Sequence, residues 1–212
     1  MRQENIGGLL AYWNKLRGSR AAPERREIAP AAIGAWLPDT FLLQSSGWGE
    51  PRFRLAGTRI CAIYGGELRT LPFASLWQSK DRNTIQRLSR NCMTSKAAAQ
   101  IDGEARSARG RKVCFKLVLL PLANEANDGN LIGMMTMIGR PFWLESDVVV
   151  ENHIKGVCVI DPRSERHIVG STRAVCSNAE QAFNAASHVL VSRKVQHLRV
   201  IEGGKRTDGR NR

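Results

Sequence analysis

Residues Phe53–Trp77 read FRLAGTRICAIYGGELRTLPFASLW, and the role of this stretch decides the fold. A strand-like lead-in, Phe53-Arg54-Leu55, runs into glycines at 57, 65 and 66 and then an apolar landing. A glycine-rich stretch can cradle a phosphate, carry a catalytic loop or simply turn the chain. A phosphate loop needs GxxxxGK[ST], so that backbone amides wrap the phosphates and a Lys reaches them. Here Gly57 and Gly65 are eight residues apart, and Gly66 is followed by Glu67, whose carboxylate repels a phosphate. The dinucleotide pattern GxGxxG is absent too. The glycines are therefore read as backbone devices: Gly57 and Gly65 turn the chain tightly at either end of a short helix. Leu55, Ile60, Ile63 and Leu68 supply its apolar contacts, and Phe73, Leu76 and Trp77 close the space between helix and sheet.

Working outward, Thr40–Gln44 and Pro51–Leu55 are strand candidates joined by the turn SSGWGE, a hairpin pattern. Before them, residues 5–17 form an amphipathic helix with Ile6, Leu9, Leu10, Trp13 and Leu16 on one face. A polar connector (18–30) and a short helix ending near Pro38 follow. After the opening stretch, SKDRNTIQRLSRNCMTSK is a helix with Ile85, Leu88 and Cys92 in a stripe and Asp81 as a cap. Ala97–Ser107, Lys112–Leu122 and Leu131–Gly139 then read as strands of an antiparallel meander. Further on, GVCVIDP and HLRVIEGG are strand-like, Ser177 and Glu180 form a capping box, and GGKRTDGRNR is a basic, disordered tail.

Among the 212 residues, 32 Lys and Arg face 19 Asp and Glu, a formal charge of +13. Residues 40–141 hold 15 basic against 7 acidic side chains, so the excess is not confined to tails. A solvated basic surface and an anionic partner both accommodate this. Arg106, Arg109, Arg111, Lys112 and Lys116 cluster around one turn, which allows non-specific contact with nucleic acid. Only Phe115 is aromatic there, and no helix-turn-helix spacing stands out, so base-specific reading is not expected.

The five cysteines are widely and irregularly spaced and include no CxxC, which fits a reduced compartment. Cys61, Cys114 and Cys158 lie in apolar runs, where a thiol acts as a small hydrophobe. His153, His167, His188 and His197 lack zinc spacing and read as surface or turn residues. No GxSxG, Cys–His signature or HExxH anchors catalysis, and Asp102 and Glu104 alternate on one solvated strand face. The N-terminal apolar stretch is too short and too broken for a signal peptide, and no window approaches a membrane span. The cytoplasm is the expected location, without membrane insertion.

In order, these pieces resemble a PAS domain: hairpin, a short helix ending in Gly65, the Glu67-Leu68 pair, the landing Phe73-x-x-Leu76-Trp77, a capped helix and three antiparallel strands. The chain is also similar to a small, chiefly alphaproteobacterial PAS-like family with an LLxYWxxLRG helix, LPDxFLL and RLAGTRICxxYGxEL. The resemblance covers about residues 9–141 and is specific over 37–77. It implies an α+β fold: a five-stranded antiparallel sheet with helices packed on one face, plus an N-terminal helix and a C-terminal extension. The expected divisions are 1–38, 39–141 and 142–212. It implies a small-molecule or partner site between sheet and helices, walled by Leu55, Ile60, Ile63, Tyr64, Phe73, Leu76, Trp77, Leu88, Phe115, Leu117, Met135 and Met137. Core packing is the more ordinary role for these residues, and a sequence pattern does not separate filled core from pocket wall.

Haem ligated by histidine is not expected, because residues 1–152 contain no His. A flavin adduct is not expected either. Arg90-Asn91-Cys92 matches only part of the Asn-Cys-Arg motif of the family's light sensors, and Cys92 falls on the packed stripe of its helix. The expected function is that of a non-enzymatic sensor or adaptor acting through small-molecule or protein contact. Its N-terminal helix would serve as a homodimer surface, since its Trp13 face needs burial, and its output would pass to a signalling protein. A basic regulator associating with nucleic acid or another polyanion is the alternative.

Overall fold

The computed structural model describes residues 3–45, 49–123, 129–139 and 141–160. Three α-helices, α1 (Gln3–Arg17), α2 (Thr58–Tyr64) and α3 (Ser79–Ser95), accompany six strands. The strands are β1 (Thr40–Ser45), β2 (Arg52–Ala56), β3 (Ala98–Ser107), β4 (Lys112–Leu122), β5 (Gly129–Met137) and β6 (Val149–Ile160). Short 3₁₀ helices run over Pro30–Asp39 and Phe73–Leu76. All strand pairs are antiparallel, in the order β2-β1-β5-β4-β3-β6.

The sheet has six strands rather than the five expected. The sixth, β6, comes from the segment assigned to the C-terminal extension and pairs with β3 from Ala98↔Ile160 to Ser107↔Val149. Two register shifts, at Asp102/Gly103 and Arg106/Ser107, interrupt the alternation of VVENHIKGVCVI. A strand read by strict period-2 patterning therefore shows only its apolar end. The capping box at Ser177, the strand-like HLRVIEGG and the basic tail lie outside the described residues.

Both faces of the central strands are covered. Along β4, Val113, Phe115, Leu117 and Leu119 enter one core, while Val118, Leu120 and Leu122 enter another. The unbroken apolar run VLLPL is the signature of such two-sided burial. The inner core lies under α2, the Phe73–Leu76 turn and α3, which contributes Ile85, Leu88, Cys92 and Met93. The outer core lies under α1: Leu9 and Trp13 are fully buried against Val118, Leu120, Ile132 and Met134. The Trp13 indole donates to the Pro121 carbonyl at 2.8 Å. The apolar face expected to need a partner chain is thus covered by the sheet of its own chain.

Several local devices differ from the sequence reading. Asp81 does not cap α3; its carboxylate accepts the Ile154 backbone N–H at 3.0 Å and so ties the start of α3 to β6. Gly65 is left-handed, φ 74°, and terminates α2 as expected. Gly57 is not left-handed: its φ is −70°, and glycine is required because any Cβ would collide with the Leu37 and Pro38 carbonyls. Cys114 is exposed and Cys158 half-buried, because strand alternation turns their side chains away from the apolar neighbours in sequence, and Cys61 on α2 is half-buried as well.

Candidate functional site

The inner core is organised by a chain of rings. Phe53, Phe41, Phe73, Trp77 and Phe115 follow one another with centroids 5.6–6.0 Å apart, mostly edge to face. Two glycines make room for them. Gly133 stands opposite Phe41 and Gly103 opposite Phe115 in the strand registers, and each ring lies where a Cβ would otherwise be. Ile60, Ile63, Leu88, Leu117, Met135 and Met137 complete the wall, with Tyr64 and Leu76 packed against it half-buried.

The fold therefore gathers every expected wall residue except Leu55. Phe53 pairs with Leu43 but Leu55 pairs with Leu42, so Arg54 is an extra residue in β2. This bulge reverses the alternation beyond it and sends Leu55, 48 % exposed, to the outer face beside Leu42. Strict alternation from Phe53 placed it inside.

A polar pair, Asn152 and the Tyr64 hydroxyl, interrupts the apolar lining. Asn152, on β6, is buried, and its side-chain amide donates to the Tyr64 hydroxyl at 2.7 Å. That hydroxyl lies 3.6 Å from the Met135 sulfur. Burial pushes the Tyr64 phenol well above its ordinary value, against the smaller opposing effect of Asn152, so it stays protonated. Trp77 adjoins Asn152 through a backbone bridge, with the Gln78 N–H donating to the Asn152 carbonyl at 2.9 Å. The Trp77 indole N–H and the Asn152 side-chain oxygen are both buried and, among the described residues, without hydrogen-bond partners. An orphaned donor and an orphaned acceptor thus sit on adjoining residues in an apolar setting, where each costs about 1–3 kcal/mol unless a guest satisfies it. Asn152 was missed because only the end of its strand, within GVCVIDP, was read as extended; the signal available was a polar residue framed by Val148-Val149-Val150 and Ile154.

Cys92 also faces the inner core, and burial pushes its thiol up to about 12. His153 departs from the surface reading: it is buried on β6, with a ring nitrogen 3.1 Å from the Glu151 carboxylate. Among the described residues no group of three His, Cys, Asp or Glu side chains could hold a metal, and no helix is long and apolar enough to cross a membrane.

Three of the five basic side chains of the turn have acidic neighbours among the described residues. Arg106 pairs with Glu151, Arg111 with Asp147, and Lys112 and Lys155 both with Glu104 at 3.2 and 3.4 Å. Desolvation pushes the Glu104 carboxyl up, but the two lysines outweigh it and hold the net value below the ordinary carboxylate range.

A twisted antiparallel sheet with short helices across one face and an aromatic, largely apolar interior defines the PAS class of sensory folds. The family model described as a PAS domain matches residues 1–136, and the chain belongs to that family. Among solved structures it is similar to a LOV protein of Rhodobacter sphaeroides, at 14 % identity and TM-score 0.38, covering 69 % of this chain and 74 % of that one. It is similar also to a point variant of that LOV protein, at 13 % identity and TM-score 0.36, covering 68 % and 74 %. No curated protein matches the chain.

Proposed function

We propose that this PAS domain is a non-enzymatic cytoplasmic sensor that takes a small neutral molecule into its inner core and signals by protein contact. The orphaned pair, Trp77 N–H and Asn152 side-chain oxygen beside the Tyr64 hydroxyl, carries the reading. A guest offering one acceptor and one donor, such as a carboxamide or an N-heteroaromatic ring, would satisfy both. Neutrality follows from the lining, because the inner core cluster is apolar and a charge placed there would lack a counter-ion. Housing such a guest requires displacement in the ring chain, and that displacement is the natural input to a signal. A homodimer through α1 would use the helix face left exposed, Gly7, Ala11, Asn14 and Lys15.

Trp77→Phe tests the reading, since it keeps most of the packing and removes only the orphaned donor. The purified full chain is extracted for mass spectrometry of co-purifying small molecules, then titrated with the molecule found, or with nicotinamide as the probe. The variant should lose at least about tenfold in affinity, as expected for one hydrogen bond in a dry site. Its ligand-free stability should be unchanged or slightly raised, because an unsatisfied donor has been removed. A variant that is less stable without ligand and binds as the parent does would show that the indole N–H is already satisfied, and would overturn the proposal.

A further inference from the structure

The outer face of the β1–β2 hairpin carries a trough separate from the inner core. Its apolar part, about 850 Å³, is lined by Ile28, Ile33, Leu37, Leu42, Leu55 and Ile132. An adjoining part, about 760 Å³, is lined by Arg25, Arg52, Arg54 and Arg69. Arg25, Leu42 and Leu55 belong to both, so the two parts form one amphipathic trough. The bulge at Arg54 creates it by placing Arg54 and Leu55 in succession on the outer face. Leu37 and Leu55 are 37 % and 48 % exposed at its rim.

The basic end holds more arginines than acids, with Glu67 the one carboxylate in its lining. Among the described residues Arg25, Arg54 and Arg69 make no ion pair, whereas Arg52 meets Glu50 at 3.5 Å. Arg54 donates to the Gln44 side-chain oxygen at 2.8 Å. Arg25 is half-buried; desolvation lowers its pKa, and the nearby Arg54 charge lowers it further. Of the two acids at the trough, Glu24 is held by Arg26 at 2.5 Å, and Glu67 accepts the Arg69 backbone N–H at 3.0 Å. Two guanidinium groups that repel each other beside an apolar floor complement a ligand with one anionic head and one apolar tail.

The charge argues against the chain itself as occupant. A second copy brings +13, and residues 161–212 hold ten basic against five acidic side chains. The volume of either part falls within the roughly 300–1,000 Å³ of small-molecule sites. Arginines gathered toward one end, with Arg26 of the apolar part held by Glu24, suit a single head group better than a helix charged along its length. We infer that the trough binds a free single-chain anionic amphiphile of the fatty-acid class, its carboxylate between Arg25 and Arg54 and its chain over Leu42, Leu55 and Ile132.

The test uses the full chain and laurate below its micelle concentration, followed by calorimetry and by methyl NMR. Saturable binding is expected, with shifts at the Leu42 and Leu55 methyls. Arg25→Gln with Arg54→Gln should weaken it about tenfold or more, since charge-assisted hydrogen bonds are lost. Leu55→Ser should weaken it too, the exposed control Arg109→Gln should not, and dodecanol should bind less tightly than laurate. The inference is overturned by any of four results: no saturable binding, equal affinity for dodecanol, an undiminished double arginine variant, or laurate shifts confined to the inner-core methyls of Leu88 and Met135. Binding to anionic vesicles without binding of free laurate would assign the arginines to a membrane surface and overturn it as well.

Discussion

Trp13→Ala probes whether α1 is part of the domain or a surface offered to a second copy. Trp13 is 1 % exposed, packs in the outer core with Val118, Leu120, Ile132 and Met134, and donates to the Pro121 carbonyl. Truncating a buried Trp to Ala costs about 3–5 kcal/mol, a value that includes the cavity and the lost hydrogen bond. Domains of this size are stable by about 5–15 kcal/mol, so the variant should still fold. With a urea dependence of about 2 kcal/mol per molar, a loss of about 4 kcal/mol lowers the unfolding midpoint by roughly 2 M. Trp13→Phe keeps most of the ring and removes the N–H, so it should cost about 1 kcal/mol, or roughly 0.5 M. Urea titrations monitored by circular dichroism at two protein concentrations measure both shifts. A Trp13→Ala midpoint within about 0.3 M of the parent would refute the burial argument. A parent midpoint that climbs with protein concentration would show that the indole is buried between copies rather than on its own sheet.

Gly133→Ala should destabilise, because the new Cβ would meet the Phe41 ring opposite; overpacking of this kind costs about 1–3 kcal/mol, and Phe41→Leu in the same chain should recover part of it. Thermal melts of the two single variants and the double variant check this, and strictly additive effects would contradict the contact. Cys92 and Cys114 should separate in alkylation by iodoacetamide at pH 8: exposed Cys114 reacts in the native protein, and Cys92 only on unfolding. The same burial raises the folded-state pKa of Cys92, so its contribution to stability is complete below the ordinary thiol range and is lost as pH rises toward about 12.

Most of the element order was legible because each piece carries its own local signal. The glycine at 65 could be assigned a left-handed turn, the α3 stripe of Ile85, Leu88 and Cys92 repeats at helical spacing, and β4 spans the expected Lys112–Leu122. The candidate wall was legible for the same reason: residues on regular helices and strands keep the face their period assigns. Leu55 escaped because a single bulge residue reverses the alternation, and nothing in RFRLA announces a bulge. Asn152 and the first half of the sixth strand escaped because two register shifts break the period of β6; only its end, within GVCVIDP, read as strand-like. The burial of Trp13 was legible only in kind: amphipathicity says that a face must be covered, and tertiary packing decides what covers it.

The β1–β2 hairpin joins the two candidate sites. Phe41 and Leu43 point into the ring chain, whereas Leu42 and Gln44 point into the outer trough. On β2, Phe53 belongs to the ring chain, and Arg54 and Leu55 to the trough. Packed rings do not deform continuously, and the residues facing the rings and those facing the trough share one backbone along this hairpin. Without the bulge, Leu55 would face inward against the rings and the trough would lose the apolar residue that links its two parts. The bulge therefore lets one two-stranded element carry an apolar interior on one face and a paired-arginine trough on the other.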